Sequence, residues 1–197
     1  MANQVSGHAP MSTPDEITTD RLVLRRWREA DLVAFAEING DPVVMEFFPA
    51  PLDRRQSDAF VSWAEGSFAD HGFGMWAVER RSVLIGSVGL ATVSFPAAFA
   101  PAVEVGWRLG KDHWGHGYAT EAARAALTFG FDQVGLDEIV SFTAACNQRS
   151  QSVMARIPMT RDPGCDFDHP RVAPDSPLRC HVLYRASRRN WSPTTGP

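Results

Sequence analysis

The stretch VEVGWRLGKDHWGHGYATEAA at 103–123 decides how this chain is read. Its first seven residues alternate: Val103, Val105, Trp107 and Leu109 point one way, and Glu104, Gly106 and Arg108 the other. That is the period-two signature of a strand. A turn, KDHWGHG, follows. From about 117 to 134 the apolar stripe Ala119, Ala123, Ala126/Leu127, Phe131 and Val134 has helical spacing. A strand therefore meets a glycine-bearing turn that opens directly into a helix. The start of a helix leaves about four backbone N–H groups unpaired, and together with the helix dipole they form an anion site. Gly115 and Gly117 carry no side chain, so a pyrophosphate can approach the backbone closely. A phosphorylated ligand at this helix start is one reading. A plain glycine-rich turn satisfies the same spacing.

Two phosphate-binding motifs are excluded. GxxxxGK[ST] is absent, and the dinucleotide pattern GxGxxG/A fails because GHGYAT ends in Thr120. The segment also follows a strand meander rather than opening a βαβ unit. Upstream, MWAVER (75–80) and SVLIGSVGL (82–90) read as strands joined near 80–82, with a loop over 94–102. RLVLRRW (21–27) reads as a strand, and helices are expected from Asp31 through Ile38 and over about 56–70. Downstream come a strand at 138–144, a short helix at 150–157 and a last strand at 180–186. The order β, α, α, β, β, β, α, β, α, β predicts a mixed α/β domain around a mostly antiparallel sheet. Trp63, Trp76 and Trp107 fall at core or pocket-wall positions, and Arg25, Arg26 and Arg28 read as a solvated face.

The chain has 197 residues, 44% of them hydrophobic and 21% charged. At roughly 150 residues per domain this is one domain with tails. The expected domain is 18–188, between polar tails at 1–17 and 189–197. A net charge of −4, from 19 basic and 23 acidic residues, argues against a nucleic-acid partner held by phosphate contacts. The longest apolar candidate, 91–105, is broken by Pro96 and Pro101 and carries Glu104, so no membrane span is expected. The N-terminus lacks the basic start and apolar core of a signal peptide. Cys146, Cys165 and Cys180 show no Cys-x-x-Cys spacing, which reads as reduced thiols and a cytoplasmic location. His113 with His116 and Cys165 with His169 do not make the four-ligand set of a zinc site, so no metal is expected.

The motif WGHGYATEA resembles the acyl-CoA pyrophosphate loop of the GNAT N-acetyltransferases, with Trp114 in the first place, Gly117 as the first glycine and Ala119 as the last small residue. Tryptophan there is typical of the RimJ/RimL branch, the ribosomal-protein-alanine acetyltransferases. TDRLVLRRW (19–27), NGDPVVMEFFP (39–49), VEVGWRL (103–109), NQRSQSVMARI (147–157) and HVLYR (181–185) resemble that branch in its order, covering about 19–188. The resemblance implies the GNAT fold and acetyl-CoA as co-substrate, attacked directly by a primary amine in a ternary complex. The acceptor it implies is a protein or peptide N-terminus, with a small amine close behind. A homodimer is common among such relatives. The non-catalytic alternative is an acyl-CoA-binding sensor or scaffold.

The resemblance also assigns residues. Val105, Gly106 and Trp107 would lie along the acyl-CoA, and backbone N–H groups along Val105–Leu109 would face the developing oxyanion. Trp114, Gly115, His116, Gly117, Tyr118, Ala119 and Thr120 would cradle the pyrophosphate, and Asn147 would hydrogen-bond the pantetheine or a nearby backbone group. Only a neutral amine attacks, so a proton must leave it. Glu104 is the candidate base, and a solvated or structural glutamate on that strand is the alternative. Many GNATs protonate the thiolate with a tyrosine on the following helix, but Tyr118 and Tyr184 lie elsewhere, which leaves Ser150 as the candidate acid or alternatively as a helix N-cap. Asp41 and Glu46 fall in the acceptor-lining region and could orient an ammonium group; ordinary surface charge accounts for them equally. One departure stands out. Relatives read Lys-Leu-Gly-Met where this chain has Arg156-Ile157-Pro158-Met159, so the helix should end differently and 159–177, with four prolines, should form an atypical loop.

Overall fold

The computed structural model describes residues 16–192. In chain order the elements are β1 (Glu16–Thr18), β2 (Val23–Arg25), α1 (Asp31–Gly40), α2 (Arg54–His71), β3 (Met75–Arg80), β4 (Val83–Thr92), β5 (Val103–Leu109), α3 (Tyr118–Phe129), β6 (Glu138–Ala144), α4 (Gln148–Arg156), β7 (Thr160–Arg161), β8 (Phe167–Asp168) and β9 (Cys180–Ser187). The strands form one sheet in the order β1-β2-β3-β4-β5-β6-β9-β7, and β8 pairs with β9. Every pairing is antiparallel except that of β5 with β6. The mixed α/β architecture expected from the element order is the one observed.

Strand alternation gives β4 and β5 two different faces. On one, Val88, Leu90, Val105 and Leu109 pack with Ala122, Ala126 and Leu127 of α3 in the main core. Burying each Val or Leu contributes roughly 1.5–3 kcal/mol, which fixes α3 against this face. The other face carries Ser87 opposite Arg108 and Ala91 opposite Glu104. Here the α1–α2 pair closes one side, with Arg108 bonding Asn39 of α1 and lying near Phe60 of α2. The main core lies on one face, while the other holds a smaller cluster of Val93, Phe99, Val140 and Leu183 and leaves room for a cavity.

Local chemistry sets the element ends. Asp53 accepts a hydrogen bond from the Gln56 N–H at 2.7 Å, and the Gln56 side chain accepts one from the Asp53 N–H at 2.9 Å. This capping box starts α2 at Arg54, two residues earlier than its apolar stripe implies. The stretch read as one helix to Val134 is α-helical only to Phe129 and continues as a single π turn, Gly130–Val134.

Several expectations need correction. Arg25 is 5% exposed rather than solvated. It donates to both Asp31 oxygens, at 2.7 and 2.8 Å, and to Glu79 at 2.7 Å, tying β2 to the first turn of α1 and to β3. The tryptophans read as core or pocket wall need no correction: Trp63 and Trp107 line the cavity, Trp63 47% exposed at its rim, and Trp76 is fully buried. The ordered domain extends past both expected boundaries. Glu16 and Ile17 pair with Arg25 and Leu24, and the Trp191 ring lies 5.5 Å from that of Phe131. The rest of the expected tails, 1–15 and 193–197, lies outside the described residues. Helix α4 keeps a familiar closure despite Pro158: the Ile157 N–H reaches the Val153 carbonyl at 3.0 Å and the Met159 N–H the Met154 carbonyl at 3.2 Å. Proline has no N–H, so only the inner bond of a glycine-type closure is lost. The segment 159–177 contains β7 and β8, which lie along β9. No described helix is long and apolar enough to cross a membrane.

Candidate active site

The site begins where the sheet parts. β5 and β6 share one registered pair, Glu104 with Val140, although each strand has seven residues. Beyond that pair the strands diverge, and the β5 edge facing β6 loses its backbone partners. The Val105 carbonyl lies on this edge, because it accepts a hydrogen bond from the Ser141 hydroxyl at 3.0 Å. Alternation puts the Val105 and Trp107 N–H groups on the same edge. β4 pairs with the opposite edge along the full length of β5. The Glu104–Val140 pair occupies the Val105 N–H, so the first backbone donor left open along the slot is the Trp107 N–H.

That slot belongs to a cavity of about 1150 Å³. Every position expected to contact acetyl-CoA lines it, as do Glu104 and Ser150. Gly106 supplies bare floor: a Cβ there would meet only the Met75 Cε, at 3.9 Å.

The far end of the cavity is the start of α3. Gly115 and Gly117 both have φ of +79°, and Gly117 is the N-cap with no side-chain cap bond. Such φ values suit glycine, and the two turns bring successive N–H groups toward the cavity end of the dipole. The loop is braced from behind. Arg21 donates to the His116 carbonyl at 2.9 Å and pairs with Glu121 at 2.6 Å, while Thr19 donates to Glu121 at 2.6 Å. The Trp114 indole donates to the Leu109 carbonyl at 2.8 Å, and His116 stacks on Tyr118 with centroids 5.4 Å apart. An uncapped helix start at the end of a long groove with a free backbone edge fits the pyrophosphate and amide chain of an acyl-CoA.

Glu104 stands at the apex of the slot. Its carboxyl has no hydrogen bond or ion pair among the described residues, and burial pushes it up to about 7, with the positive field of Arg171 partly opposing the shift. A carboxyl poised near neutrality can accept a proton and release it again. Across the slot, Asn147 caps α4: its amide oxygen accepts from the Ser150 N–H at 3.1 Å, and its amide nitrogen donates to the Thr143 hydroxyl at 3.0 Å and the Ser150 hydroxyl at 3.2 Å. The N-cap is therefore Asn147, and Ser150 lies one turn in. Because the Ser150 oxygen accepts from Asn147, its own proton is free to point into the cavity.

Asp41 and Glu46 do not line the cavity. Asp41 pairs with Lys111 at 2.9 Å and accepts the Val43 N–H at 2.8 Å, which holds its carboxyl below the ordinary range. Glu46 pairs with Arg149, whose guanidinium lies over the Trp114 ring at 4.7 Å. The structure adds lining residues that the sequence reading passed over. Arg108 was visible only as a polar position on an alternating strand, and His169 lies 51 residues past the start of α3 in a proline-rich segment with no periodicity. Burial, with His181 and Arg171 adding to it, lowers His169 to about 4. No cluster able to hold a metal occurs among the described residues.

Splayed strands, an open β5 edge and a glycine-opened helix form one groove on a mixed sheet. The sequence model of the acetyltransferase (GNAT) domain matches residues 21–160. YnaD, an uncharacterized N-acetyltransferase of Bacillus subtilis (strain 168), is 31% identical over 147 residues, covering 74% of this chain and 83% of its own. YkkB, an uncharacterized protein of the same organism, is 29% identical over 152 residues, covering 76% and 87%. Among solved structures, a GNAT-family acetyltransferase from Bacillus anthracis superposes with a TM-score of 0.73 at 24% identity, over 88% of this chain and 99% of its own. The chain belongs to the GNAT acetyltransferases. It is an acetyl-CoA-dependent acyltransferase with the GNAT fold.

Proposed function

We propose that the protein transfers the acetyl group of acetyl-CoA to a primary amine by direct attack in a ternary complex. The observation that carries this reading is an unpaired, half-buried Glu104 at the apex of the slot, where the β5 edge opens toward Trp107. An alkylammonium has a pKa near 10.4 and a peptide α-amine near 7.7–8.0, so an acceptor arrives largely protonated at neutral pH. Glu104, held near 7, takes that proton directly or through water. The Trp107 N–H on the open β5 edge stabilises the charge that develops on the carbonyl oxygen, and its position in a stiff strand means that little reorganisation is needed. Ser150 donates its free proton to the departing sulfur. Acetyl-CoA supplies the activated acyl group; Asn147, Trp114 and the amides at 117–120 hold its chain and phosphates.

The in-order likeness to the RimJ/RimL branch supports a peptide or protein N-terminus as acceptor ahead of a small amine. The test is a panel of N-terminal peptides and small amines incubated with acetyl-CoA, followed by free thiol release and product mass. Amine-dependent thiol release with one acetyl group on the amine nitrogen is expected. Thioester loss without any acetylated amine would refute the reading.

A further inference from the structure

We infer that the acceptor carries a carboxylate as well as its amine, and that Arg108 receives it. This deepens the acetyl-transfer reading above and rests on it. Arg108 lies on the same face of β5 as Glu104, four residues on, so their Cα atoms stand about 13 Å apart at the usual strand rise. Arg108 lines the cavity. Nη1 donates to the Asn39 side-chain oxygen at 2.6 Å, and the Phe48 and Phe60 ring centroids lie 4.4 and 5.4 Å from the guanidinium carbon. Asn39 is itself fully buried and oriented, since its amide nitrogen donates to the Ser57 hydroxyl at 2.8 Å, turning the oxygen toward Arg108.

What this cation lacks is a counterion. Among the described residues no carboxylate pairs with Arg108, and its Nε is buried without a partner. Other secluded arginines are treated differently. Arg25 holds Asp31 and Glu79, and Arg185 holds Asp162 and Glu138. An amide dipole does not neutralise a guanidinium, and a buried charge without its opposite is costly. Burial lowers Arg108 to about 10, which still leaves it charged at neutral pH. The arrangement is a built receptor for an anion that comes and goes with a ligand.

Two features point to a carboxylate on the acceptor rather than a phosphate of the acyl donor. The side chains around Arg108 come from α1, α2 and the segment between them, whereas the positions assigned to the donor's phosphates and pantetheine gather at the start of α3 and the β6–α4 junction, and only its acyl end runs along β5 beside Arg108. A single guanidinium flanked by two phenylalanine rings matches a planar monoanion with an apolar flank. The acceptor class is therefore an amino acid, short peptide or similar amine with a free carboxylate.

The experiment compares matched pairs, free acids against their methyl esters, by amine-dependent thiol release from acetyl-CoA in wild type, Arg108→Gln and Arg108→Lys. In wild type the acids should exceed their esters in kcat/KM by at least about tenfold. In Arg108→Gln the KM for acids should rise about 10–100-fold, the scale of a lost charge-assisted hydrogen bond. KM for acetyl-CoA and the ester kinetics should stay within about twofold. Arg108→Lys should recover part of the loss. If Arg108→Gln does not fold, the wild-type comparison decides alone. Equal use of acid and ester, or a rise in the KM for acetyl-CoA instead, overturns the inference and leaves acetyl transfer standing. No thiol release with any amine overturns both.

Discussion

Glu104 stands opposite Val140 in the one registered pair that joins β5 to β6, so the carboxyl marks the point where the sheet opens. On one side of the pair the sheet is continuous. On the other, β5 keeps β4 as its neighbour and turns its free edge to the cavity. The same residue is therefore close to the open β5 edge and shielded from bulk water, and the shielding raises its pKa.

That burial has a cost in stability with a definite sign. The Glu104 carboxyl is raised from 4.5 to about 7 on folding. Between those values the unfolded chain has released a proton that the native state keeps, so stability falls as pH rises through that window and levels off above it. The full effect is at most about 3 kcal/mol. Glu104→Gln should remove this slope, matching wild type near pH 4.5 and melting higher than it at pH 8. Calorimetry across that range checks it.

Gly106 offers a steric probe of the slot. A Cβ there meets only Met75 Cε at 3.9 Å, so Gly106→Val should fold, and a β-branched residue suits a strand. Its methyl groups would occupy the cavity floor. The melting temperature should hold while the KM for acetyl-CoA rises at least about tenfold, on the scale of losing well-fitted contacts.

Gly117 tests the helix start. At φ of +79° an alanine costs about 1 kcal/mol, whereas asparagine tolerates this region better. Gly117→Ala should weaken acetyl-CoA binding several-fold and leave the KM for the amine unchanged. Gly117→Asn should fall between it and wild type. Titration calorimetry with coenzyme A reads the effect without turnover.

Asn147 and Ser150 should separate structure from chemistry. Asn147→Ala removes the α4 cap, worth about 1 kcal/mol, or a drop of roughly 2–4 °C. Ser150→Ala removes a hydroxyl that only accepts from Asn147, so its melting temperature should barely move. Its kcat should fall by about tenfold or more if the hydroxyl protonates the leaving sulfur.

The legible parts of this chain were those with a strong period. β5, its glycine turn and α3 were readable because alternation, two glycines and a helical stripe follow one another within 32 residues, 103–134. β1, β7 and β8 were not, because strands of two or three residues show no period and owe their existence to pairing with β2 or β9. Arg25 and Arg108 looked like two polar strand positions in sequence. Their difference is tertiary: Asp31 and Glu79 come to one, and only a neutral amide to the other. Asp41 and Glu46 illustrate the converse, since Lys111 and Arg149, which engage them, are 70 and 103 residues away.

The most direct test of the account is the pH dependence of kcat/KM for wild type and Glu104→Gln with one acetylated amine. Wild type should show a rising limb with an apparent pKa near 7, as the Glu104 carboxyl ionises. In Glu104→Gln that limb should vanish, leaving the ionisation of the amine alone, and kcat/KM should fall about 10²–10⁴-fold with the KM for acetyl-CoA unchanged. A Glu104→Gln enzyme that keeps both the wild-type rate and the limb near 7 would contradict the assignment of Glu104 as the base.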